Sequence, residues 1–430
     1  MLVTAVGACD PATLKHTPDA AKQIDSESID APNHAPASVT LYDPNNPGTV
    51  VVGAPVVFFE ADGSVAGMPV TDTTGVASAD VHPGASATAV IAVPGSTTQL
   101  TTIAGIQPGD HIIMGEKVPF GSTDGTFTVS YNAYTTVTPY AYEVVGPCGY
   151  FNAGTALSMQ MTIYSYCKQS LMDIVVIPVN SSFVPIAYLE KPNVTYTAGG
   201  STSVTGTYLT PGVFNATYTN VDAALTTLSF TRNTPASEGY GASVSGTPAN
   251  GMLSLSGQLI NAQTSSVTTN VSKGMSRAIV LQNMAGNAAS YTMDLGATLL
   301  PWMTAVTADI ANNKISVTTD TTGTSTDKPD AFVLQFNYSR TVGTTSQSYH
   351  WEVFAPEPGD FTLPALPANL ADLLPKTTDS VGLPTAIMID SSNLTWDQVR
   401  LDALDTLNTG FQMVDTSTRL REEVLQQRGG

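Results

Sequence analysis

Three cysteines, five histidines and a group of turn-borne carboxylates are the side chains of this 430-residue chain most able to do chemistry. Cys148 lies in a Gly-Pro-Cys-Gly turn, and Cys167 ends an alternating, strand-like segment 19 positions later. Two cysteines without a nearby histidine are too few for a metal site, and a redox pair would have C-x-x-C spacing. In an exported protein two such cysteines usually pair, so we expect a structural disulfide that contributes on the order of 3 kcal/mol.

The remaining candidates form no catalytic pattern. The sequence contains no G-x-S-x-G, H-E-x-x-H, Walker A or G-x-G-x-x-G motif. The histidines are scattered, because His16 and His34 lie in a polar N-terminal tether and His82, His111 and His350 lie among strands. A single histidine on a strand usually serves structure or lies at the surface. The sequence therefore predicts a protein that is not an enzyme and has no cofactor. The alternative is an enzyme whose carboxylates meet only in the fold, as two unpaired buried carboxylates facing each other in a cleft.

Four carboxylates lie around the turns of one strand-rich segment: Glu60, Asp62, Asp72 and Asp80. Such side chains commonly close turns and keep a surface soluble, and we adopt that interpretation. Loop oxygens of this kind also bind Ca²⁺, and residues 43–48 begin like an EF-hand loop. However, Pro47 takes a ligand position there and no glutamate follows at the required spacing. We predict no metal site and keep calcium as an alternative.

The third cysteine, Cys9, follows a short apolar stretch that ends in Val6-Gly7-Ala8. A small aliphatic residue, two small residues and then cysteine resemble a bacterial lipobox. In proteins with that motif the chain is cut before the cysteine, whose sulfur is joined to diacylglycerol by a thioether. Residues 10–37 are polar and rich in Pro, Ala and Asp, as expected for a flexible tether between a lipid and a folded domain. The alternative is an ordinary apolar N-terminus, since no basic residue precedes the stretch.

The formal net charge of −19 limits the possible partners. No Lys or Arg occurs between Lys22 and Lys117, and so acidic a surface repels phosphate backbones, which excludes nucleic acid as a partner. Only 12% of the residues are charged, so surface polarity must come from Ser, Thr, Asn, Gln and Gly, as in many extracytoplasmic β-proteins. No apolar run approaches the length that crosses a bilayer.

Alternating apolar segments, punctuated by regular turn signals, predict an all-β chain. Residues 173–179 are apolar enough for a buried strand, and aromatic residues of two later strands share faces with aliphatic ones. We expect two or three β-sandwich domains in tandem with a short helical C-terminal segment. The predicted organisation is a lipoprotein signal remnant at 1–9, the tether at 10–37, a β-sandwich at 38–118, a β-domain with the disulfide at 119–221, another β-sandwich at 222–356, a Pro-rich linker or strap at 357–394 and short helices at 395–430.

The first sandwich also carries a family pattern. Residues 53–59 have the sequence GAPVVFF, and residues 71–77 have the sequence TDTTGVA. This pattern resembles small bacterial Ig-like and carboxypeptidase-regulatory-like (transthyretin-like) modules. Its physical basis is visible, because Asp72 can close an Asx-turn and Gly75 accepts positive φ. The resemblance implies a β-sandwich module that serves as a spacer or adhesive unit, mostly without catalysis.

Helix is expected only near the C-terminus. Residues 395–398, Thr-Trp-Asp-Gln, have the capping-box form and open a short helix toward Leu407. Leu420 and Val424 lie one helical turn apart, and they predict a second helix over 417–428.

These patterns together predict a non-catalytic, lipid-anchored cell-envelope protein that faces the periplasm or the cell exterior, with a structural or adhesive role. Its partners would be the membrane, through the anchor at Cys9, and a protein or polysaccharide at the surface. The alternative function is carbohydrate binding, which an exposed coplanar pair of Trp or Tyr would support. Burial of the three tryptophans, Trp302, Trp351 and Trp396, would weaken that alternative.

Overall fold

The computed structural model describes ten stretches of the compact unit His34–Gly430. Cys9 and the predicted tether up to residue 33 lie outside these residues. The described stretches are 34–92, 97–115, 122–234, 240–246, 251–258, 264–285, 288–322, 324–392, 394–402 and 419–426.

The described residues lie mainly in β-strands, which confirms the all-β fold class. β-branched and aromatic residues fill the strands, while Gly, Asn and Asp occupy many of the turns. Two short α-helices are α1 (Leu295–Thr298) and α2 (Trp396–Leu401), and single 3-10 turns lie at Ser165–Cys167, Ile310–Asn312 and Ala371–Leu373. None of the described helices is long and apolar enough to span a membrane.

The strands follow one another along the chain as β1 (Ala35–Leu41), β2 (Val56–Phe59), β3 (Val65–Gly67), β4 (Val76–Val81), β5 (Ala85–Ile91), β6 (Thr98–Ile106), β7 (His111–Met114), β8 (Thr123–Tyr131), β9 (Ala141–Gly146), β10 (Gly149–Gly154), β11 (Ser158–Tyr164), β12 (Leu171–Val179), β13 (Leu189–Thr195), β14 (Gly200–Val204) and β15 (Gly212–Thr219). They continue as β16 (Thr227–Thr234), β17 (Tyr240–Gly246), β18 (Met252–Gln258), β19 (Thr264–Lys273), β20 (Ser276–Ala285), β21 (Ser290–Asp294), β22 (Trp302–Asp309), β23 (Lys314–Asp320), β24 (Ala331–Val342), β25 (Thr345–Ala355), β26 (Asp360–Thr362), β27 (Ser380–Val381), β28 (Thr385–Ser391) and β29 (Arg419–Gln426).

The largest sheet of the described residues has 13 strands, and the smaller sheets pack against it or beside it. Its order is β17-β16-β19-β20-β29-β28-β24-β25-β6-β5-β2-β3, with β27 beside β24. Neighbouring strands are antiparallel except β6 and β25, which run parallel with Leu100 opposite Trp351. Because β29 pairs with both β20 and β28, the last described strand joins the two halves of this sheet.

Smaller sheets cover both faces of this large sheet. The sheet β4-β1-β7 covers β2, β5 and β6 on one side and forms the first sandwich, whose core extends to β24 and β28. The sheet β22-β23-β26 covers the opposite side. Along β24, Val333 therefore packs in the first core and Leu334 in the second. This alternation buries both faces of the central strands, as in a three-layer packing.

Two further sandwiches complete the unit. In the second sandwich, the sheets β10-β9-β12-β13 and β11-β8-β14 enclose a core that includes Phe127, Val144 and Ile174. In the third sandwich, the sheet β18-β15-β21 packs on β16, β19 and β20 of the large sheet around Phe214 and Phe230. Strand pairing crosses the predicted borders at 118 and 356, since β6 pairs with β25 and β20 pairs with β29.

The predicted faces of the aromatic strands are confirmed. Phe332, Leu334, Phe336 and Tyr338 are buried together with Tyr349, Trp351 and Val353 in one core. The Pro-rich segment adds Leu363 and Leu366 to that same core, so it packs over the sheet there. The capping box at Thr395 is also confirmed, because Thr395 and Gln398 cap α2 reciprocally. This helix ends at Leu401, and Leu407 lies outside the described residues.

The helix predicted over 417–428 is wrong, because residues 419–426 form β29. Leu420 and Val424 are four positions apart, and an even spacing puts two residues on one face of a strand as well as of a helix. The spacing alone therefore cannot separate the two structures. Hydrogen-bonded neighbours on both sides, with Leu420 opposite Leu281 and Ser391, favour the strand.

Candidate functional site

The cysteine pair predicted by sequence forms a disulfide in the second sandwich. Cys148 lies between β9 and β10 of one sheet, and Cys167 lies in the 3-10 turn after β11 of the other sheet. Their Cα atoms are 5.2 Å apart, within the usual range for a disulfide. The bond therefore fastens the two sheets of this sandwich to each other. The other predicted site residue, Cys9, lies outside the described residues.

Two of the four carboxylates singled out in the sequence, Asp62 and Asp72, close turns of the first sandwich. Asp62 accepts hydrogen bonds from the hydroxyl and backbone N–H of Ser64, which lower the pKa of its carboxyl. Asp72 does the same with Thr74, and it also accepts from the backbone N–H of Val76. Their oxygens serve the Asx-turns that the sequence predicts. Within the described residues, neither of them belongs to a group of three His, Cys, Asp or Glu side chains whose ligand atoms lie close together.

Glu60 instead lies beside two histidines at one end of the first sandwich. His82 Nδ1 is 3.1 Å from Glu60 Oε1, and the backbone N–H of His82 donates to Glu60 Oε2 at 3.1 Å. The rings of His34 and His82 lie 4.7 Å apart between centroids. Partial burial raises the pKa of the Glu60 carboxyl, but the His82 hydrogen bonds and the charges of both imidazoles outweigh it and lower that pKa overall. We call these three residues the His-Glu-His cluster.

Sequence reasoning missed the His-Glu-His cluster, because it assigned His34 to the tether. The pairing of β1 with β4 places Ala35 opposite Val81, so the residues just beyond, His34 and His82, meet at the sheet end. Glu60 follows β2 and reaches the same end from the facing sheet. The alternating pattern of β1 and β4 was visible in the sequence, but their register was not.

The second sandwich presents exposed aromatic side chains at the end opposite the disulfide. Tyr140 precedes β9 and Phe183 follows β12, and their rings make a T-shaped pair at 5.5 Å between centroids. The side chains are 57% and 46% exposed, and the adjacent Val184 is 45% exposed. Exposed large apolar groups that cluster in this way mark interaction surfaces more often than isolated ones do. We call Tyr140, Phe183 and Val184 the aromatic tip.

The turn that carries Phe183 is strained but tightly hydrogen-bonded. Phe183 has a φ of 57°, in the left-handed region that favours glycine and asparagine. Asn180 holds the turn, since its Oδ1 accepts from the backbone N–H groups of Ser182 and Val184 at 2.9 and 3.0 Å. Its backbone N–H donates to the Val184 carbonyl at 3.0 Å. The aromatic ring is thus displayed from a fixed backbone.

The three tryptophans are not displayed for ligand stacking. Trp302 and Trp351 are almost completely buried, and Trp396 is half-buried against the first core. The planes of Tyr140 and Phe183 are 81° apart, so this pair does not form a flat platform. These observations weaken the carbohydrate-binding alternative.

A small cleft of about 180 Å³ opens where β1 and β7 end. Its walls combine apolar side chains such as Ile103 and Phe354 with His350 and Glu352. Glu352 accepts a hydrogen bond from Gln335 at 2.7 Å, so this carboxylate is paired. The volume is below that of a usual small-molecule site. The cleft therefore does not contain the facing, unpaired carboxylates that the enzyme alternative requires.

No family model matches the chain, and no curated protein matches it. Solved structures match at low identity. The chain is similar to the Bacillus anthracis TIE protein, at 12% identity over 61% of this chain and 50% of that one, with a TM-score of 0.16. It is also similar to GBS52, the minor pilin of Streptococcus agalactiae, at 11% identity over 41% of this chain and 96% of that one, with a TM-score of 0.18.

A third similar structure contains two B repeat units of the collagen binding protein of Staphylococcus aureus, at 10% identity over 86% of this chain and 97% of that one, with a TM-score of 0.12. This chain spans half the length of the TIE protein chain. At TM-scores this low, these similarities do not identify a function.

Proposed function

We propose that this chain is a non-catalytic, lipid-anchored cell-envelope protein whose aromatic tip binds a protein partner. The lipid anchor would be attached at Cys9, and residues 10–33 would hold the folded unit away from the membrane. The sandwiches would then serve as a rigid support. The binding role is supported above all by Phe183, whose backbone is strained and whose side chain is exposed.

A phenylalanine in the left-handed region costs the fold on the order of 1–2 kcal/mol, which glycine would avoid. The ring is 46% exposed, so burial regains only part of that free energy. Both the left-handed backbone conformation and the exposed side chain of Phe183 are unfavourable for the stability of the fold. Such a residue fits a role in binding better than a role in folding. Tyrosine and other aromatic residues are also the side chains most enriched at the centres of protein interfaces.

The surroundings of the aromatic tip favour a binding surface of fixed shape. Tyr140 is tied to the end of β12, because its backbone N–H donates to the Val179 carbonyl at 2.9 Å. The other end of the same two antiparallel strands is closed by the disulfide. A preordered tip loses little conformational entropy on binding, which improves affinity. The T-shaped ring pair suits an irregular protein surface rather than the flat face of a sugar ring.

The anchor is tested by intact mass spectrometry of the protein from its native membrane fraction. We expect a chain that begins at Cys9 and carries a diacylglycerol-sized increment. A Cys9→Ala variant should lack the increment and leave the membrane fraction. An unmodified chain that begins at Met1 would contradict the anchor.

The aromatic tip is tested by site-specific photocrosslinking on intact cells. A photoreactive phenylalanine analogue at position 140 should yield adducts with a cell-surface protein, and Phe183→Asn should reduce their yield. Position 150 is the matched control, because Tyr150 is 64% exposed on β10 of the same sheet but lies outside the tip. Equal adduct yields from positions 140 and 150 would contradict the binding role.

The same Phe183→Asn variant separates binding from folding. Asparagine tolerates the left-handed region, so we expect the second sandwich to gain on the order of 1 kcal/mol in free energy of unfolding. A loss of crosslinking together with a gain of stability identifies a residue retained for binding. A loss of both would make Phe183 a structural residue and overturn the argument from strain.

A further inference from the structure

We propose that the His-Glu-His cluster binds a Zn²⁺ ion that ties the start of β1 to two turns of the first sandwich. The ligands would be one imidazole nitrogen each from His34 and His82 and the carboxylate of Glu60. This site is independent of the aromatic tip, which lies on the second sandwich.

The three side chains already lie close together. The ligand atoms of the three side chains all lie within 4.8 Å of one another. Two ligands bound about 2.0–2.1 Å from a tetrahedral zinc ion are themselves about 3.3 Å apart. The separation of 3.1 Å between His82 Nδ1 and Glu60 Oε1 is already close to this value. The separations that involve His34 are at most 4.8 Å, so its imidazole must move closer to complete the set of ligands.

The Glu60 carboxylate is also held in place by a backbone hydrogen bond. Glu60 accepts the backbone N–H of His82 through Oε2, which fixes its orientation relative to the His82 ring. Outer hydrogen bonds of this kind orient metal ligands and raise metal affinity. Glu60 is also only 20% exposed in its side chain, whereas His82 is 57% exposed. The cluster therefore combines a shielded, oriented carboxylate with an imidazole open to solvent.

The charge of the surrounding segment also favours a cation. Residues 34–115 contain six Asp and Glu residues and no Lys or Arg. In the described structure, the basic groups that face Glu60 are the two imidazoles. This acidic segment therefore favours a divalent cation and has no lysine or arginine that would repel it.

The donor set selects the type of metal. Two imidazoles and one carboxylate suit zinc and neighbouring transition metals, whereas calcium prefers oxygen ligands alone. Three protein ligands also leave one tetrahedral position for water. Bound zinc would connect the residue before β1 to the turns after β2 and β4, and it would fix the point where the chain enters the first sandwich.

Calorimetric titration of the untagged chain with ZnCl₂ at pH 7.5 tests this site. We expect one Zn²⁺ per chain, with an affinity that falls at least about tenfold in His34→Ala, His82→Ala and Glu60→Gln. His350→Ala is the matched control, because His350 is a histidine on a strand that hydrogen-bonds Asn337 instead of a carboxylate. Its affinity should equal that of the original chain.

Co²⁺ substitution gives an independent readout. Tetrahedral Co²⁺ absorbs strongly in the visible range, so the original chain and His350→Ala should turn blue, while His82→Ala should not. Circular dichroism in EDTA should show that all four variants are folded, since two of the three ligands are exposed. Unchanged zinc affinity in the three cluster variants, or no binding by the original chain, would overturn the proposal and leave an imidazole–carboxylate ion pair.

Discussion

The first and second sandwiches are closed by different means. The second is fastened by a disulfide between residues 19 positions apart. The first is fastened by an ion pair between Asp110, in the turn before β7, and Arg400 on α2, which are 290 positions apart. Arg400 Nε and Nη2 donate to the two Asp110 oxygens at 2.8 and 3.0 Å, in a bidentate arrangement.

This difference shows which parts of the chain each sandwich depends on. The disulfide joins residues that are close in sequence, so it can form within the second sandwich alone. The ion pair of the first sandwich requires α2, which comes late in the chain. The core of the first sandwich likewise includes Val333 and Val399. The loop between the paired residues is also much longer, which raises the entropy cost of closure. We therefore expect the first sandwich to fold only together with the C-terminal part of the unit.

The largest expected effect comes from breaking the ion pair. Arg400→Ala leaves the Asp110 carboxylate, whose side chain is only 10% exposed, without its positive partner. Removing one member of a buried pair costs about 3–5 kcal/mol, and the first sandwich should lose that much free energy of unfolding. Hydrogen exchange measured by mass spectrometry should show faster exchange in β1 and β7 and little change in β9 and β12.

Asp397→Asn is the control for this variant. Asp397 also contacts Arg400, but its side chain is 75% exposed, and an exposed pair contributes only about 0–1 kcal/mol. If Asp397→Asn and Arg400→Ala accelerate exchange equally, the buried pair is not what closes the first sandwich.

Removal of the disulfide gives the next largest loss of stability, and this loss falls on the second sandwich instead of the first. Replacing Cys148 and Cys167 together by serine should lower the stability of the second sandwich by about 3 kcal/mol, because the unfolded segment gains conformational freedom. Exchange should accelerate in β9 and β12, while β1 and β7 keep their protection. Cys9→Ala, which leaves the disulfide intact, should change neither region. Equal losses in both sandwiches would mean that the two are one cooperative unit.

The contrast between the disulfide and the ion pair also shows which contacts could be predicted from the sequence and which could not. Cys148 and Cys167 were predicted to pair because two such cysteines in an exported protein usually form a disulfide, and a metal site or a redox pair would need other ligands or spacing. The strands themselves follow from alternation, and α2 follows from its capping box. The partnership of Asp110 with Arg400 has no such signal, since the two residues are 290 positions apart and belong to separate segments of the chain.

The His-Glu-His cluster was hidden for the same reason. Its members come from three separate segments, and only the register of β1 with β4 brings His34 beside His82. The aromatic tip was missed for another reason. Exposure and backbone strain at Phe183 are properties of the folded turn, and the sequence Asn-Ser-Ser-Phe does not report them.

Two glutamates provide the smallest and most specific test, because their pKa values shift in opposite directions. Burial raises the pKa of Glu143, which lies on β9 and is 5% exposed. The His-Glu-His cluster lowers the pKa of Glu60 overall, despite its partial burial. An unfolded glutamate titrates near pH 4.3. As pH rises above that value, ionisation of Glu143 costs the folded second sandwich free energy. Ionised Glu60 stabilises the folded first sandwich, and that contribution is lost as pH falls through its lowered pKa.

Replacement by glutamine should therefore have opposite signs in the two sandwiches. At pH 7, Glu143→Gln should slow exchange in β9 and β12. With Glu143 present, these strands should lose protection as pH rises, and the substitution should remove that pH dependence. Glu60→Gln should speed exchange in β1 and β4 at pH 7, with a difference that shrinks as pH falls through the lowered pKa of Glu60. Exchange followed from pH 3 to pH 8, corrected for the intrinsic rate at each pH, measures both effects. If both substitutions change protection in the same direction, the two carboxylates do not have the opposite effects on stability that their pKa shifts predict. The electrostatic support for a cation at the His-Glu-His cluster would then be weaker.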